Sequence, residues 1–123
     1  MNPPPALEVW IVDDDASIRW VLERALKQAG MSPITFEDAD SAMSALRRGE
    51  PDVLVTDIRM PGRSGLELLD DVRTRRPKLP VIVMTAHSDL DSAVAAYQGG
   101  AFEYLPKPFD IDQAVELVRR AAT

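Results

Sequence analysis

Three consecutive aspartates, Asp13, Asp14 and Asp15, follow directly on the apolar run Leu7 to Val12. Carboxylates that close to one another and to a core repel and are poorly solvated, so they require a positive partner. Other residues with chemistry stand at equivalent points further along: Asp57 after the apolar run from Val53, Thr85 at the end of the run from Val81, and Lys107 after the last run. Singly, each has an ordinary reading. Asp15 suits a helix N-cap, Thr85 a β-branched strand residue, and Lys107 a solvated charge. Jointly, the acids cannot all stay ionised at neutral pH with Lys107 as their one cation. A hard divalent ion answers the imbalance, because Mg²⁺ takes oxygen ligands and is held by one or two carboxylates together with phosphate oxygens. Beside Asp57 it would draw in a phosphoryl donor and neutralise charge as phosphate passes to that carboxylate. Lys107 and Thr85 would then bind the oxygens of the attached phosphate.

The elements that must carry these residues follow from the alternation of short apolar runs with stretches of helical period. Candidate strands are Leu7 to Val12, Ser32 to Phe36, Val53 to Thr56, Val81 to Thr85 and Ala101 to Leu105. Several are continuously apolar, as parallel strands covered on both faces are, and Pro33 marks the second as an edge. Helix one starts after Asp15, turns Ile18, Val21, Leu22, Ala25 and Leu26 inward, and stops at Gly30. Met43 and Leu46 mark a second helix ending at Gly49; Leu66, Leu69 and Val72 mark a third ending before Pro77. The fourth runs from Leu90 to Gln98, with Leu90, Val94 and Tyr97 as its few large anchors. The fifth opens on a capping-box variant, Asp110-Ile111-Asp112-Gln113, and turns Ile111, Ala114, Val115 and Val118 inward. Strict β-α alternation with right-handed crossovers predicts an α/β, doubly wound parallel sheet, and the edge second strand favours the order 2-1-3-4-5. Ligands of such sheets sit at the carboxyl ends of the strands, which is the rim where Asp13, Asp14, Asp57, Thr85 and Lys107 fall.

Composition narrows the function classes. A chain of 123 residues, 46% hydrophobic, fits one domain with a real core. Its net charge of −6 argues against direct nucleic-acid binding, and the basic runs Arg73-Thr74-Arg75-Arg76 and Arg119-Arg120 suit helix C-termini instead. Absence of cysteine excludes disulfides and thiolate metal sites. No apolar stretch approaches the roughly 20 residues of a membrane span, and the start lacks signal-peptide features, so a cytoplasmic protein without membrane contact is expected. Residues 1–6 read as a Pro-rich, disordered tail. Trp10 reads as core and Trp20 as helix-face packing.

The segments "IVDDDASIRWVLERAL", "VLVTDIRMPGRSGLELL", "VIVMTAHSDLDSAVAAYQGGAFEYLPKPF" and "DIDQAVELVRRA" resemble the receiver domain of two-component response regulators, and more narrowly the nitrogen-regulatory NtrC type. The resemblance covers residues 7–123 and implies a flavodoxin-like (βα)5 fold. It implies Asp57 as phospho-acceptor, Asp13 and Asp14 as the acidic pair with Asp14 a direct Mg²⁺ ligand, and the backbone carbonyl of Arg59 as another ligand. It also implies Thr85 as switch hydroxyl, Tyr104 as switch aromatic, Lys107 as phosphate-binding lysine, and a cis bond before Pro108. Asp15, Ala86 and His87 are left as candidate modulators. The implied role is a phospho-acceptor that assists its own phosphorylation and dephosphorylation rather than a turnover enzyme. A sensor histidine kinase would supply the phosphate. The helix 4, strand 5 and helix 5 face would then control an output ATPase and DNA-binding module outside this chain, acting in σ54-dependent transcription and nitrogen regulation. Homodimer formation stays open.

Competing readings can be weighed on the same residues. A phosphotransferase of the haloacid-dehalogenase type also uses an aspartate after a parallel strand, but needs a second aspartate two residues on, where this chain has Arg59. A flavin carrier shares the sheet order but needs a hydroxyl- and glycine-rich loop where "DDDAS" would repel phosphate. A receiver fold used purely as a scaffold sits badly with an intact Asp14, Asp57, Thr85 and Lys107.

Overall fold

The computed structural model describes residues 6–123; the expected tail, apart from Ala6, lies outside the described residues. β1 (Glu8–Val12), β2 (Ser32–Phe36), β3 (Val53–Asp57), β4 (Val81–Ala86) and β5 (Glu103–Lys107) form one parallel sheet in the order β2-β1-β3-β4-β5. They alternate with α1 (Ala16–Gln28), α2 (Ala39–Leu46), α3 (Gly65–Arg75), α4 (Leu90–Gln98) and α5 (Ile111–Ala121). β2 is an edge as Pro33 requires, whereas β3 is buried along its whole length. None of the helices is long and apolar enough to cross a membrane among the described residues.

Side-chain alternation splits the core into two layers. Trp10, Val12, Leu54, Val81 and Val83 face α2, α3 and α4, packing on Leu46, Leu68, Leu69 and Ala96. Val9, Ile11, Val55, Ile82, Met84 and Leu105 face the other way, onto Leu22 and Leu26 of α1 and Ala114, Leu117 and Val118 of α5. The same parity carries to the rim. Asp57 continues the α1/α5 side after Val55 and Lys107 continues it after Leu105, while Thr85 follows Val81 and Val83 toward α4. Register brings these ends level, with Val12 paired to Thr56, Thr56 to Val83, and Thr85 to Pro106.

Several expectations shift. β5 begins at Glu103, not Ala101, because Gly100 at φ 97° and the bond from Phe102 N–H to the Val81 carbonyl form the entry to the strand. α2 ends at Leu46, before Gly49. At α5, the Asp110 carboxylate accepts from Asp112 N–H at 2.9 Å, so the N-cap exists but the reciprocal box to Gln113 does not. Ile111, expected to face inward, instead borders Trp20 and Gln28 of α1 and stays 42% exposed. Trp20 points off the buried stripe of α1, 59% exposed, with the Arg24 guanidinium 5.3 Å from its ring centroid.

The largest revision concerns α4. Leu90, Val94 and Tyr97 are exposed rather than anchoring, and the buried residues of the helix are Ala93 and Ala96. A methyl group buries far less apolar area than a leucine, at roughly 25 cal/mol per Å². α3 buries Leu68, Leu69 and Val72 over a similar length. α4 is therefore the most weakly seated of these helices.

Candidate functional site

Asp13 directly follows β1 with its residue fully buried, and each of its polar groups is engaged. Its N–H donates to the Phe36 carbonyl at 3.1 Å, and its carbonyl accepts from Arg19 Nη1 at 2.6 Å. Oδ1 accepts from Asp15 N–H at 2.9 Å and Oδ2 from Lys107 Nζ at 2.7 Å. Asp15 is the N-cap of α1 as expected, accepting from Ser17 N–H at 2.8 Å. Between these two fixed residues Asp14 is exposed, and its carboxylate has no hydrogen bond or ion pair among the described residues.

Asp57 closes β3, 8% exposed. Its Oδ1 accepts from Ile58 N–H at 3.0 Å and lies 3.4 Å from Lys107 Nζ, leaving Oδ2 without a partner among the described residues. One carboxylate oxygen each from Asp13, Asp14 and Asp57 falls within 4.8 Å of the others. Burial, and then the Asp13 charge, push the Asp57 carboxyl up to about 6, against the opposing pull of Lys107. Burial alone would lower the Lys107 ammonium, but its bond to Asp13 and the charges of Asp13 and Asp57 outweigh that and hold it above its ordinary range.

Gly65 opens α3 directly against this strand end. A Cβ there would stand 2.0 Å from the Asp57 carbonyl oxygen, and Gly65 N–H donates to the Ile58 carbonyl at 2.8 Å. Only glycine admits that approach. A helix-opening glycine with Ser64 as N-cap was readable in the sequence but carried no hint of its neighbour.

Thr85 is buried on the α4 side, where its Oγ1 donates to Asp89 Oδ2 at 3.3 Å. Asp89 is the N-cap of α4, accepting from Ser92 N–H at 3.3 Å, and it also takes Arg59 Nε at 2.8 Å. The Arg59 bond and then the Ser92 bond hold its carboxyl down at about 2. Sequence reading missed Asp89, although Asp before a helical stretch is an N-cap signal. Ala86 and His87 are exposed at the end of β4, with His87 N–H donating to the Lys107 carbonyl at 3.1 Å. Tyr104 is half-buried on β5 opposite Val83, and its N–H donates to Glu103 Oε1 at 3.1 Å. Glu103 in turn binds the Tyr97 hydroxyl of α4 and lies 3.7 Å from Arg120 of α5. The Lys107–Pro108 bond is cis.

The sheet order, an acidic rim at the β1/β3 switch point, and a lysine and threonine across from it define a receiver domain. The model of the response regulator receiver domain matches residues 9–119, and the chain belongs to that family. Within the family it is of the NtrC type. It is 66% identical over 113 residues, 92% of this chain, to the DNA-binding transcriptional regulator NtrC of Salmonella typhimurium, and equally to that of Escherichia coli K12. The chain spans 24% of the length of either relative. Among solved structures it is similar to the apo receiver domain of nitrogen regulatory protein C, at 64% identity and TM-score 0.86 over 94% of each chain. The BeF3-activated form of that domain follows at 63% identity and TM-score 0.83, covering 96% of this chain and 95% of the other. The haloacid-dehalogenase reading is not favoured: Arg59 occupies its general-acid position and is tied to Asp89.

Proposed function

We propose that this chain is a phosphorylation switch in which Asp57 accepts a phosphoryl group from a phosphohistidine of a sensor kinase. The observation that carries the reading is the partner-free Oδ2 of a buried Asp57, beside Lys107 and within 4.8 Å of oxygens from Asp13 and Asp14. The donor set fits Mg²⁺, being all oxygen and acidic. Asp14 and Asp57, with the Arg59 backbone carbonyl, would hold it. Asp13, whose oxygens are already taken by Lys107 and Asp15 N–H, would act chiefly by fixing the lysine. Bound Mg²⁺ supplies charge neutralisation for the transferring phosphoryl group. An Asp57 oxygen attacks phosphorus, the P–N bond breaks, and the kinase imidazole leaves with the electron pair. Attack by water later returns inorganic phosphate and free Asp57.

Phosphate adds roughly −1.5 to −2 charges and three acceptor oxygens. Two charge-assisted bonds, from Thr85 and Lys107, would give about 3 to 6 kcal/mol gross. Lys107 already holds Asp13 and Thr85 already donates to Asp89, so the net drive is smaller than that. A full population reversal needs about 5.5 kcal/mol. A weakly seated α4 lowers the opposing term, which makes a modest net drive sufficient for a partial shift. Thr85 turning inward releases the α4 N-cap, Tyr104 follows into the vacated space, and the α4-β5-α5 face changes. Asp15, Ala86 and His87 border the pocket and tune its access.

Through the NtrC relationship we place this switch in the cytoplasm, upstream of an output ATPase and a DNA-binding domain that activate σ54-dependent transcription in nitrogen regulation, with homodimerisation as a further consequence. The test is incubation with acetyl phosphate or a beryllofluoride complex and Mg²⁺. With acetyl phosphate wild type should gain one acid-stable, base-labile adduct, with either reagent its amides over residues 88–99 should shift, and Asp57→Asn should show neither. An adduct unchanged in Asp57→Asn would remove Asp57 from its role.

A further inference from the structure

We propose that Arg19 is a positioning residue of the acidic pocket, holding through the Asp13 carbonyl the loop that presents the Asp14 carboxylate. The proposal deepens the metal-binding reading of that pocket and rests on it. The Asp14 carboxylate has no hydrogen bond or ion pair among the described residues, so its placement depends on the backbone of its neighbours. Asp15 is fixed by the Asp13 carboxylate and by its own capping bond. Asp13 is fixed by Phe36 on one side and Arg19 on the other. Removing Arg19 would free the carbonyl that precedes Asp14 and let that peptide plane rotate.

The location of Arg19 is unusual for a cation. It is the fourth residue of α1, next to the helix N-terminus, where the helix dipole disfavours positive charge. Helical cations at such positions are commonly offset by a carboxylate one turn away, yet Arg19 has no carboxylate within ion-pair distance among the described residues. It is partly buried and its Nη1 donates to a carbonyl at 2.6 Å. The acidic rim and that carbonyl are what make the position favourable. Groups that orient metal ligands from behind typically change affinity 10- to 100-fold when removed.

The two ways Arg19 could act on a divalent cation have opposite signs. As a mere positive charge it repels the ion, so its removal would tighten binding. As a positioning residue its removal loosens the Asp14 carboxylate and weakens binding. The experiment compares wild type, Arg19→Met, Arg19→Lys and the control Arg24→Met. It measures Mg²⁺ affinity by amide-shift titration, metal-free hydrogen exchange at the hydrogen-bonded amides of Asp13 and Asp15, and thermal unfolding. Arg19→Met should weaken Mg²⁺ about tenfold and speed exchange at both amides, with Arg19→Lys recovering part of each. Equal or tighter Mg²⁺ binding in Arg19→Met, or a loss of thermal stability with no change at the two amides, overturns the proposal. Should wild type itself bind no Mg²⁺, the reading of the pocket as a metal site fails, and the metal-free exchange rates alone decide whether Arg19 holds the loop.

Discussion

Lys107 is bound more closely to Asp13 than to Asp57, with Nζ at 2.7 Å from Asp13 Oδ2 and 3.4 Å from Asp57 Oδ1. The ammonium is thus parked beside the acceptor rather than on it. Its charge still lowers the Asp57 carboxyl, against burial and the Asp13 charge. Lys107→Met removes that opposition, so the carboxyl of Asp57 should titrate above the wild-type value of about 6. Carbon-13 titration of the Asp57 carboxyl reads it directly. An unmoved or lowered midpoint would contradict the geometry.

Asp57 also links folding to pH. Its folded carboxyl sits near 6 and the ordinary value is 3.8, so the folded state holds its proton more tightly than the unfolded chain. Between those values the native state binds more protons and stability falls as pH rises; the contribution is present below about 4 and lost above about 6. Asp57→Asn should therefore be more stable than wild type at pH 7 without divalent cations, by up to about 3 kcal/mol from a two-unit shift. The gain should vanish near pH 4. Urea unfolding at the two pH values checks the sign, and a gain that persisted at pH 4 would point to a different cause.

The sheet order and the acidic rim were legible because both rest on local signals: apolar runs, Pro33 at an edge, and acids where strands stop. α4 was misread because sequence ranks residues by size. Leu90, Val94 and Tyr97 look like anchors, yet the covered face belongs to Ala93 and Ala96, and nothing in a single chain says which stripe of a short helix the sheet takes. Gly65, Asp89 and Arg19 were missed for a related reason. Each acts across the fold, on Asp57, on Thr85 and Arg59, or on the Asp13 carbonyl, and such partners have no signature in spacing.

Asp89 joins the pocket to α4, since one of its oxygens accepts from both Thr85 and Arg59 while the other caps the helix. Its carboxyl is held at about 2, chiefly by Arg59. A depressed carboxyl contributes stability above the ordinary value of 3.8 that is lost as pH falls toward 2. In Arg59→Ala the folded carboxyl is less depressed, so that contribution is smaller and the cap takes up its proton at higher pH, closer to 3.8. Amide exchange at Ser92 and along residues 90–98 should accelerate near pH 4 in the variant, while the exchange of α1 stays put. Equal rates in the two proteins would show that Arg59 does not hold the cap.

Gly65→Ala sets two effects against each other. Helix propensity favours alanine over glycine by about 1 kcal/mol in a helix interior, and less at a first turn. Against it, the new Cβ would lie 2.0 Å from the Asp57 carbonyl oxygen and 2.9 Å from Asp57 C and Ile58 Cα. All of these are backbone atoms at the end of the central strand, so relief requires moving either α3 or the acceptor itself. Overpacking of this kind costs about 1 to 3 kcal/mol, and a clash with backbone belongs at the upper end. Gly65→Ala should therefore lose about 2 kcal/mol of stability and should slow adduct formation with acetyl phosphate as the Asp57 carboxylate is displaced. Gly49→Ala is the matching control, because a Cβ there meets nothing within 4 Å. If the two alanine variants unfold at the same denaturant concentration and react at the same rate, α3 has more freedom against β3 than this close approach implies.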